Sequence, residues 1–120
     1  KTVKEEPRHG QSKSDLMAAE ADRIRKAIPK GSLLVTLDER GKDLTTVEFA
    51  KKLSAWQDSG ESVAFVIGGT DGIDPALKQE SRMMIRLSSM TLPHALARVI
   101  LSEQIYRAWS ILNNHPYHRA

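Results

Sequence analysis

Two runs of residues constrain this chain more than anything else in it: Leu33 to Asp38, LLVTLD, and Ser62 to Ile67, SVAFVI. Neither alternates apolar with polar side chains. A strand with one wet face must alternate, because successive side chains point to opposite sides, so an unbroken apolar run marks a strand covered on both faces. Met83 to Leu87, MMIRL, predicts a third strand. Helical patterns lie between. From Lys13 onward Leu16, Met17, Ala19, Ala21, Ile24, Ala27 and Ile28 recur at mixed three- and four-residue spacing, with Ser12 or Ser14 as cap and Pro29, Lys30 and Gly31 as the stop. Thr46 to Ser59 puts Val47, Ala50, Leu53 and Trp56 on one stripe and Lys51, Lys52, Gln57 and Asp58 outward, with Gly60 ending it. Gly41 closes the turn after the first run, and Pro75 opens a short helix. Ahead of all this, Lys1 to Lys4 reads as the end of a strand and Glu5 to Ser12 as an exposed loop. Strands alternating with helices in this way give an α/β fold, a parallel sheet with helices on both faces.

The last third departs from the ordinary amphipathic pattern. A helix is expected from about Pro93 to Asn113, some 30 Å long at about 1.5 Å per residue, with Thr91 as its cap. Leu96, Ala97, Val99, Ile100, Leu101, Ile105, Ala108, Trp109, Ile111 and Leu112 cover most of its circumference. Arg98, Glu103 and Arg107 are its main charges, and Glu103 and Arg107 are spaced to pair. One sheet face cannot cover such a helix, so a second surface is required: another copy of the chain in a two-fold dimer, or complete burial within the monomer. The chain then runs into Asn114, His115, Tyr117, His118 and Arg119. Imidazole, phenol and guanidinium groups stack on unpaired bases and bond phosphate.

Composition narrows the function classes. With 120 residues the chain is one domain, and with no cysteine it has no disulfide, thiolate metal site or cysteine nucleophile, which fits a reducing, cytoplasmic setting. No apolar run approaches the roughly 18 residues a membrane span needs. Lys plus Arg, 18, exceeds Asp plus Glu, 15, a mild attraction to polyanions. His115 and His118 are three apart, but no cysteine or suitably placed acid joins them, so no metal is expected.

Ligands of open parallel sheets bind beyond the carboxyl ends of the strands. Three loops fall there: Asp38 to Asp43, Gly68 to Asp74 and Ser88 to His94. The middle one, GGTDGID, permits tight turns and close approach, yet it is neither the dinucleotide fingerprint nor a P-loop, and it reads equally as a plain corner. Beside it Ser88, Ser89 and Thr91 offer hydroxyls, and Leu87, Met90 and Leu92 offer apolar surface, a mixture suited to an adenosine-sized ligand. His94 reads as packing rather than catalysis. No Ser-His-Asp order, carboxylate pair or lysine nucleophile emerges from spacing.

The segment TLPHALARVILSEQIYRAWSILNNHPYHR, with VTLDERGK and FVIGGTDGI, closely resembles the RlmH family, the bacterial ribosomal RNA large subunit methyltransferases of the SPOUT class. The likeness covers nearly the whole chain, and TLPH, YRAWSI and NHPYHR stand intact. It implies S-adenosylmethionine as cofactor, a C-terminal trefoil knot, a homodimer, and methylation at N3 of a pseudouridine in 23S rRNA of the assembled ribosome. Carried over by position, Leu37, Gly68, Gly69, Leu87, Ser88, Ser89, Met90, Thr91 and Leu92 would hold the cofactor. Arg107, His115, Tyr117, His118 and Arg119 would meet the RNA, plausibly in the partner subunit's pocket, with Tyr117, His118 and Arg119 nearest the chemistry and Glu103 a further candidate. Family members open with a strand, helix and strand that this chain, starting at Lys1, lacks, so the expectation is a single SPOUT domain over 1–120, incomplete at its front. The reading from another class is a non-catalytic RNA-binding α/β module; a nucleotide-dependent oxidoreductase is disfavoured by the missing fingerprint acid.

Overall fold

The structure, a computed structural model, describes residues 13–68 and 72–118; the strand expected at Lys1 to Lys4 and the loop at Glu5 to Ser12 lie outside the described residues. Seven elements follow in order: α1 (Lys13–Ala27), β1 (Leu33–Asp43), α2 (Thr46–Asp58), β2 (Val63–Ile67), α3 (Pro75–Glu80), β3 (Met83–Arg86) and α4 (His94–Leu112). The strands form one parallel sheet in the order β2-β1-β3. The apolar run therefore sits in the centre, with a hydrogen-bonded neighbour on each side.

Both faces of β1 are covered, as its composition requires. Leu33, Val35 and Leu37 point to one side and join Phe49, Ala50 and Trp56 of α2 and Leu101 and Ala108 of α4. Leu34 points to the other and meets Ala21 and Ile24 of α1 and Ile73 and Leu77 around α3. The alternation that the run hides in its composition is thus present in its geometry, since each face sees every second residue. Thr36, fully buried, donates from Oγ1 to Ser81 Oγ at 3.3 Å, which removes the cost of an unsatisfied hydroxyl.

Local chemistry accounts for the ends of the elements. Thr45 caps α2 through a reciprocal capping box, Glu48 N–H donating to Thr45 Oγ1 at 3.1 Å and Thr45 N–H to Glu48 Oε1 at 2.8 Å. Asp74 caps α3, whose first residue is Pro75, as expected.

Three expectations need correction. Thr91 does not cap α4: the cap position is Pro93, which has no side-chain cap bond. Ala50, Leu53 and Trp56 of the expected α2 stripe do face the core, but Val47 is exposed and Phe49 takes the inward place in the first turn. The first strand does not end at Asp38. It continues to Asp43 through an irregularity between Leu37 and Lys42, after which Lys42 and Asp43 pair again with Ile85 and Arg86.

Gly41 makes that second pairing possible. A Cβ placed on it would lie 2.6 to 2.8 Å from backbone atoms of Met84 and Ile85, and backbone cannot move aside as a side-chain tip can. Gly41→Ala is therefore expected to destabilise the fold by about 2 kcal/mol or more in urea unfolding, through overpacking against β3. A loss below about 0.5 kcal/mol would show that the extension is not held against β3 in solution.

Candidate active site

At the carboxyl end of the sheet, the loops of β1 and β2 leave in opposite directions. The chain passes from β1 to α2 on one face and from β2 to α3 on the other. Adjacent strands whose connections diverge leave a crevice between them. A cavity of roughly 570 Å³ occupies this position, within the range of small-molecule sites. Its walls come from the three loops singled out in the sequence. Leu37, Asp38 and Glu39 form one, Ile67, Gly68, Gly72 and Ile73 the second, and Arg86 to Ser88 with Met90 to His94 the third. Ala97 of α4 closes the base.

Of the expected cofactor residues, the structure brings Leu37, Gly68, Leu87, Ser88, Met90, Thr91 and Leu92 to this cavity. Ser89 is exposed and does not line it, and Gly69 lies outside the described residues. Gly68 has no room for a side chain: a Cβ there would lie 2.7 Å from the Ile73 side chain and 2.8 Å from the Gly72 carbonyl carbon. Gly68 therefore lies directly against Gly72 and Ile73 at the cavity wall, an approach that only a glycine allows. Ser88 accepts the Met90 N–H at 2.9 Å and so holds the third loop in a tight turn. His94 lines the cavity at the start of α4.

Charge around the cavity is organised in pairs. Asp38, on the first wall, is bridged to Lys78 of α3 at 2.8 Å and accepts the Arg40 N–H at 2.9 Å. Burial alone would push this carboxyl up, but the hydrogen bonds from Lys78 and Arg40 outweigh it and hold it below the usual range. Arg86, at the third wall, bonds Asp43 in a two-point fork, with Arg86 Nε at 2.7 Å from Asp43 Oδ1. That hydrogen bond lowers the Asp43 carboxyl and raises the Arg86 guanidinium.

The tail residues gather elsewhere, on the outward side of α4. Arg107 bonds Glu103 at 2.8 Å as the spacing predicts, and Tyr117 Oη donates to the same Glu103 oxygen at 3.1 Å. The Arg107 guanidinium lies 4.9 Å from the Tyr117 ring centroid, and its Nη1 is 3.4 Å from His118 Nδ1. Tyr106 stacks on Trp109 at 5.7 Å and meets Tyr117 edge-on at 4.6 Å, while His115 lies 5.6 Å from Trp109. Asn114, with φ of 55°, turns the chain back, and the His115 N–H then closes on Ser110 O at 2.7 Å. Four of the five expected RNA residues are thus brought together, and Arg119 lies outside the described residues.

None of these tail residues lines the cavity. Arg107 lies thirteen helical steps beyond His94 in α4, about 20 Å at the helical rise. Composition also hid a polar chain: Thr46 donates to Gln104 Oε1 at 2.8 Å, and Gln104 donates to Glu103 Oε2 at 3.1 Å. It ties the tail's anchor to α2, and only the packing of α2 on α4 reveals it. Among the described residues no group of three or more His, Asp or Glu side chains is placed to hold a metal, and no helix is long and apolar enough to cross a membrane.

A parallel α/β sheet with a nucleoside-sized cavity at its strand ends is the arrangement of the open-sheet ligand-binding domains. The chain belongs to the SPOUT methyltransferase family: residues 1–118 match the family described as "Predicted SPOUT methyltransferase". It is 58% identical over 118 residues to the ribosomal RNA large subunit methyltransferase H of Ralstonia pickettii (strain 12J), covering 98% of this chain and 76% of that protein. The proteins of the same name from Burkholderia ambifaria (strain MC40-6) and Burkholderia thailandensis are similar. The first is 59% identical over 111 residues, covering 92% of this chain and 71% of its own length. The second is 57% identical over 119 residues, covering 98% and 76%.

Glu103 anchors the tail through Arg107 and Tyr117, and the Arg107 hydrogen bond holds its carboxyl below the usual range, with the Tyr117 bond adding to this against desolvation. A depressed carboxyl contributes at pH above its ordinary value and loses that contribution as pH falls through the folded value. Tail docking is therefore expected to persist at neutral pH and to be lost only well below pH 4.5, the ordinary glutamate value. Glu103→Gln should release the tail already at pH 7. Emission from the half-exposed Trp109 reports this over the constant emission of the buried Trp56, which lies away from the tail; identical spectra for variant and wild type would contradict the anchoring role.

Proposed function

We propose that this chain transfers a methyl group from S-adenosylmethionine to large-subunit ribosomal RNA, at N3 of a pseudouridine in 23S rRNA of the assembled ribosome, and that it acts as a cytoplasmic homodimer. The observation that carries the reading is the cavity, built by the three loops that the family resemblance assigns to the cofactor. Its lining fits that group. Leu37, Ile67, Leu87, Met90 and Leu92 supply apolar walls for a purine and thioether-like chain, and strand-end main chain and Ser88 supply polar contacts.

When bound, S-adenosylmethionine supplies an electrophilic methyl carbon on a positively charged sulfur. The chain's own residues do the rest. Leu37, Gly68 and Leu87 to Leu92 hold one reactant in a fixed orientation, and the apolar walls keep water from the reacting centre. Arg107 and Arg119 hold RNA phosphate, and His115 and Tyr117 offer ring faces to an unstacked base. The proton lost from N3 passes to His118 or to water, with the Tyr117 hydroxyl assisting as a hydrogen-bonding group. Glu103 aims Arg107 and Tyr117, because one carboxylate oxygen holds both.

The separation of tail and cavity supports the dimer. Leu96, Val99, Tyr106, Trp109 and Leu112 expose apolar surface on the side of α4 turned away from the sheet. A two-fold pairing across this side covers the patch and carries the partner's tail toward the cavity, with the last helix threaded as in the knotted fold that the resemblance implies.

Incubation of intact ribosomes with methyl-labelled S-adenosylmethionine tests the reading. Label at a single 23S pseudouridine, located by mass spectrometry, is expected; binding of ribosomes with no heat on titration of S-adenosylmethionine would favour the non-catalytic RNA-binding module. Arg119→Ala should lower ribosome methylation roughly tenfold or more while cofactor affinity stays near wild type, since the loss is of a phosphate contact. Equal loss of both would defeat the assignment of the tail to RNA.

A further inference from the structure

Two walls of the cavity are joined by a single ion pair that none of the roles above uses. Asp38 follows Leu37 on the first wall. Lys78 belongs to α3, the helix that follows the glycine loop, and it does not itself line the cavity. Their 2.8 Å bridge is largely withdrawn from water, the Asp38 and Lys78 side chains being 10% and 25% exposed.

The surroundings make this bridge a determinant of shape. α3 is only six residues long, too short to hold a position by its own hydrogen bonds. It is fixed by the fully buried Leu77, by Arg25 of α1 reaching Glu80 at 3.0 Å, and by Lys78 reaching Asp38. Leu77 and the Arg25 bridge tie it to α1 and the far face of the sheet. The end of α3 is tied to the body of β1, where Thr36 bonds Ser81 at 3.3 Å and the Arg82 N–H bonds Leu34 O at 2.8 Å, whereas the Lys78 bridge ties it to Asp38 on the cavity wall itself. Asp38 is also immobilised from its own side, through the Arg40 N–H. At the cavity end, the position of α3 relative to Asp38 is therefore set by one charged contact between two otherwise anchored groups.

We propose that Lys78 and Asp38 form a latch setting the width of the cofactor cavity, with Lys78 a positioning residue for cofactor affinity rather than for methyl transfer. The inference rests on the reading of this cavity as the S-adenosylmethionine site. Opening the latch leaves a carboxylate part-buried without its cation, so the β1 loop turns toward water and the wall opens. A cavity that must be reclosed by its ligand binds more weakly by the fraction of molecules in the closed state.

The test is calorimetric titration of the full chain with S-adenosylmethionine, alongside thermal unfolding and initial rates on ribosomes. For Lys78→Met the Kd and the cofactor KM should rise roughly tenfold, with kcat at saturating cofactor changed by less than about twofold. Lys78→Arg, which keeps the charge, should bind within about threefold of wild type. Should Lys78→Met fail to fold, the pair Asp38→Asn with Lys78→Met takes its place: the bridge is then absent without a stranded charge, and a smaller rise in Kd, of at least about threefold, is expected, with an unchanged Kd overturning the latch. Wild-type Kd and KM in the folded Met variant, or equal weakening by Met and Arg, would overturn the latch. Wild-type chain that takes up no S-adenosylmethionine sinks the cofactor reading and the latch together, whereas normal wild-type binding with unaffected variants sinks the latch alone.

Discussion

The structure depends on burial of β1 from both sides. A central parallel strand has no free edge and no free face, so every group around it must be apolar or paired. Leu33, Val35 and Leu37 hold α2 and α4, and Leu34 holds α1 and α3, through side chains that alternate along one backbone. Because the two layers grip alternate residues of one short backbone stretch, the direction in which the strand ends is fixed to within the play of a packed core. The cavity is the direct consequence. Loops that leave β1 and β2 toward opposite layers cannot close over one another, and the gap between them is where a ligand fits.

The second consequence concerns α4. Leu101 and Ala108 serve the core, Ala97 is buried at the cavity, and the small Ala108 lets the helix pack closely. Its opposite side carries Tyr106, Arg107, Trp109 and the folded-back tail, joined by ring contacts and by the shared Glu103 carboxylate. One helix thus has the cavity at its start and the aromatic, arginine-bearing cluster near its end, about 20 Å apart. Under the proposed function, chemistry between the two calls for a second chain, arranged so that the start of one helix meets the end of the other.

Much of this was legible in the residues. The three strands were recognisable because an apolar run without alternation has few other uses, and all seven described elements follow the expected order. The pairing of Glu103 with Arg107 was legible because a helix places residues four apart together. The extension of β1 through Arg40 to Asp43 was not, since ERGKD has a turn's composition, and only the bare Cα of Gly41 against β3 lets it pair. The inward position of Phe49 in place of Val47 was missed for a related reason: several rotations of α2 bury comparable apolar area, and the sheet chooses among them. Lys78, Thr46 and Gln104 could not be found either, because each acts through a partner more than thirty residues away in the sequence.

The central claim, that cavity and tail must come from different chains, is tested most directly by mixing two disabled variants. Ser88→Arg fills the cavity and leaves the tail whole, and Arg119→Ala does the reverse. Each alone should be nearly inactive on ribosomes, while an equal mixture, allowed to exchange subunits, should regain about a quarter of wild-type methylation, because half of the dimers then hold one complete site. A mixture no more active than its components, with subunit exchange verified, would contradict the account.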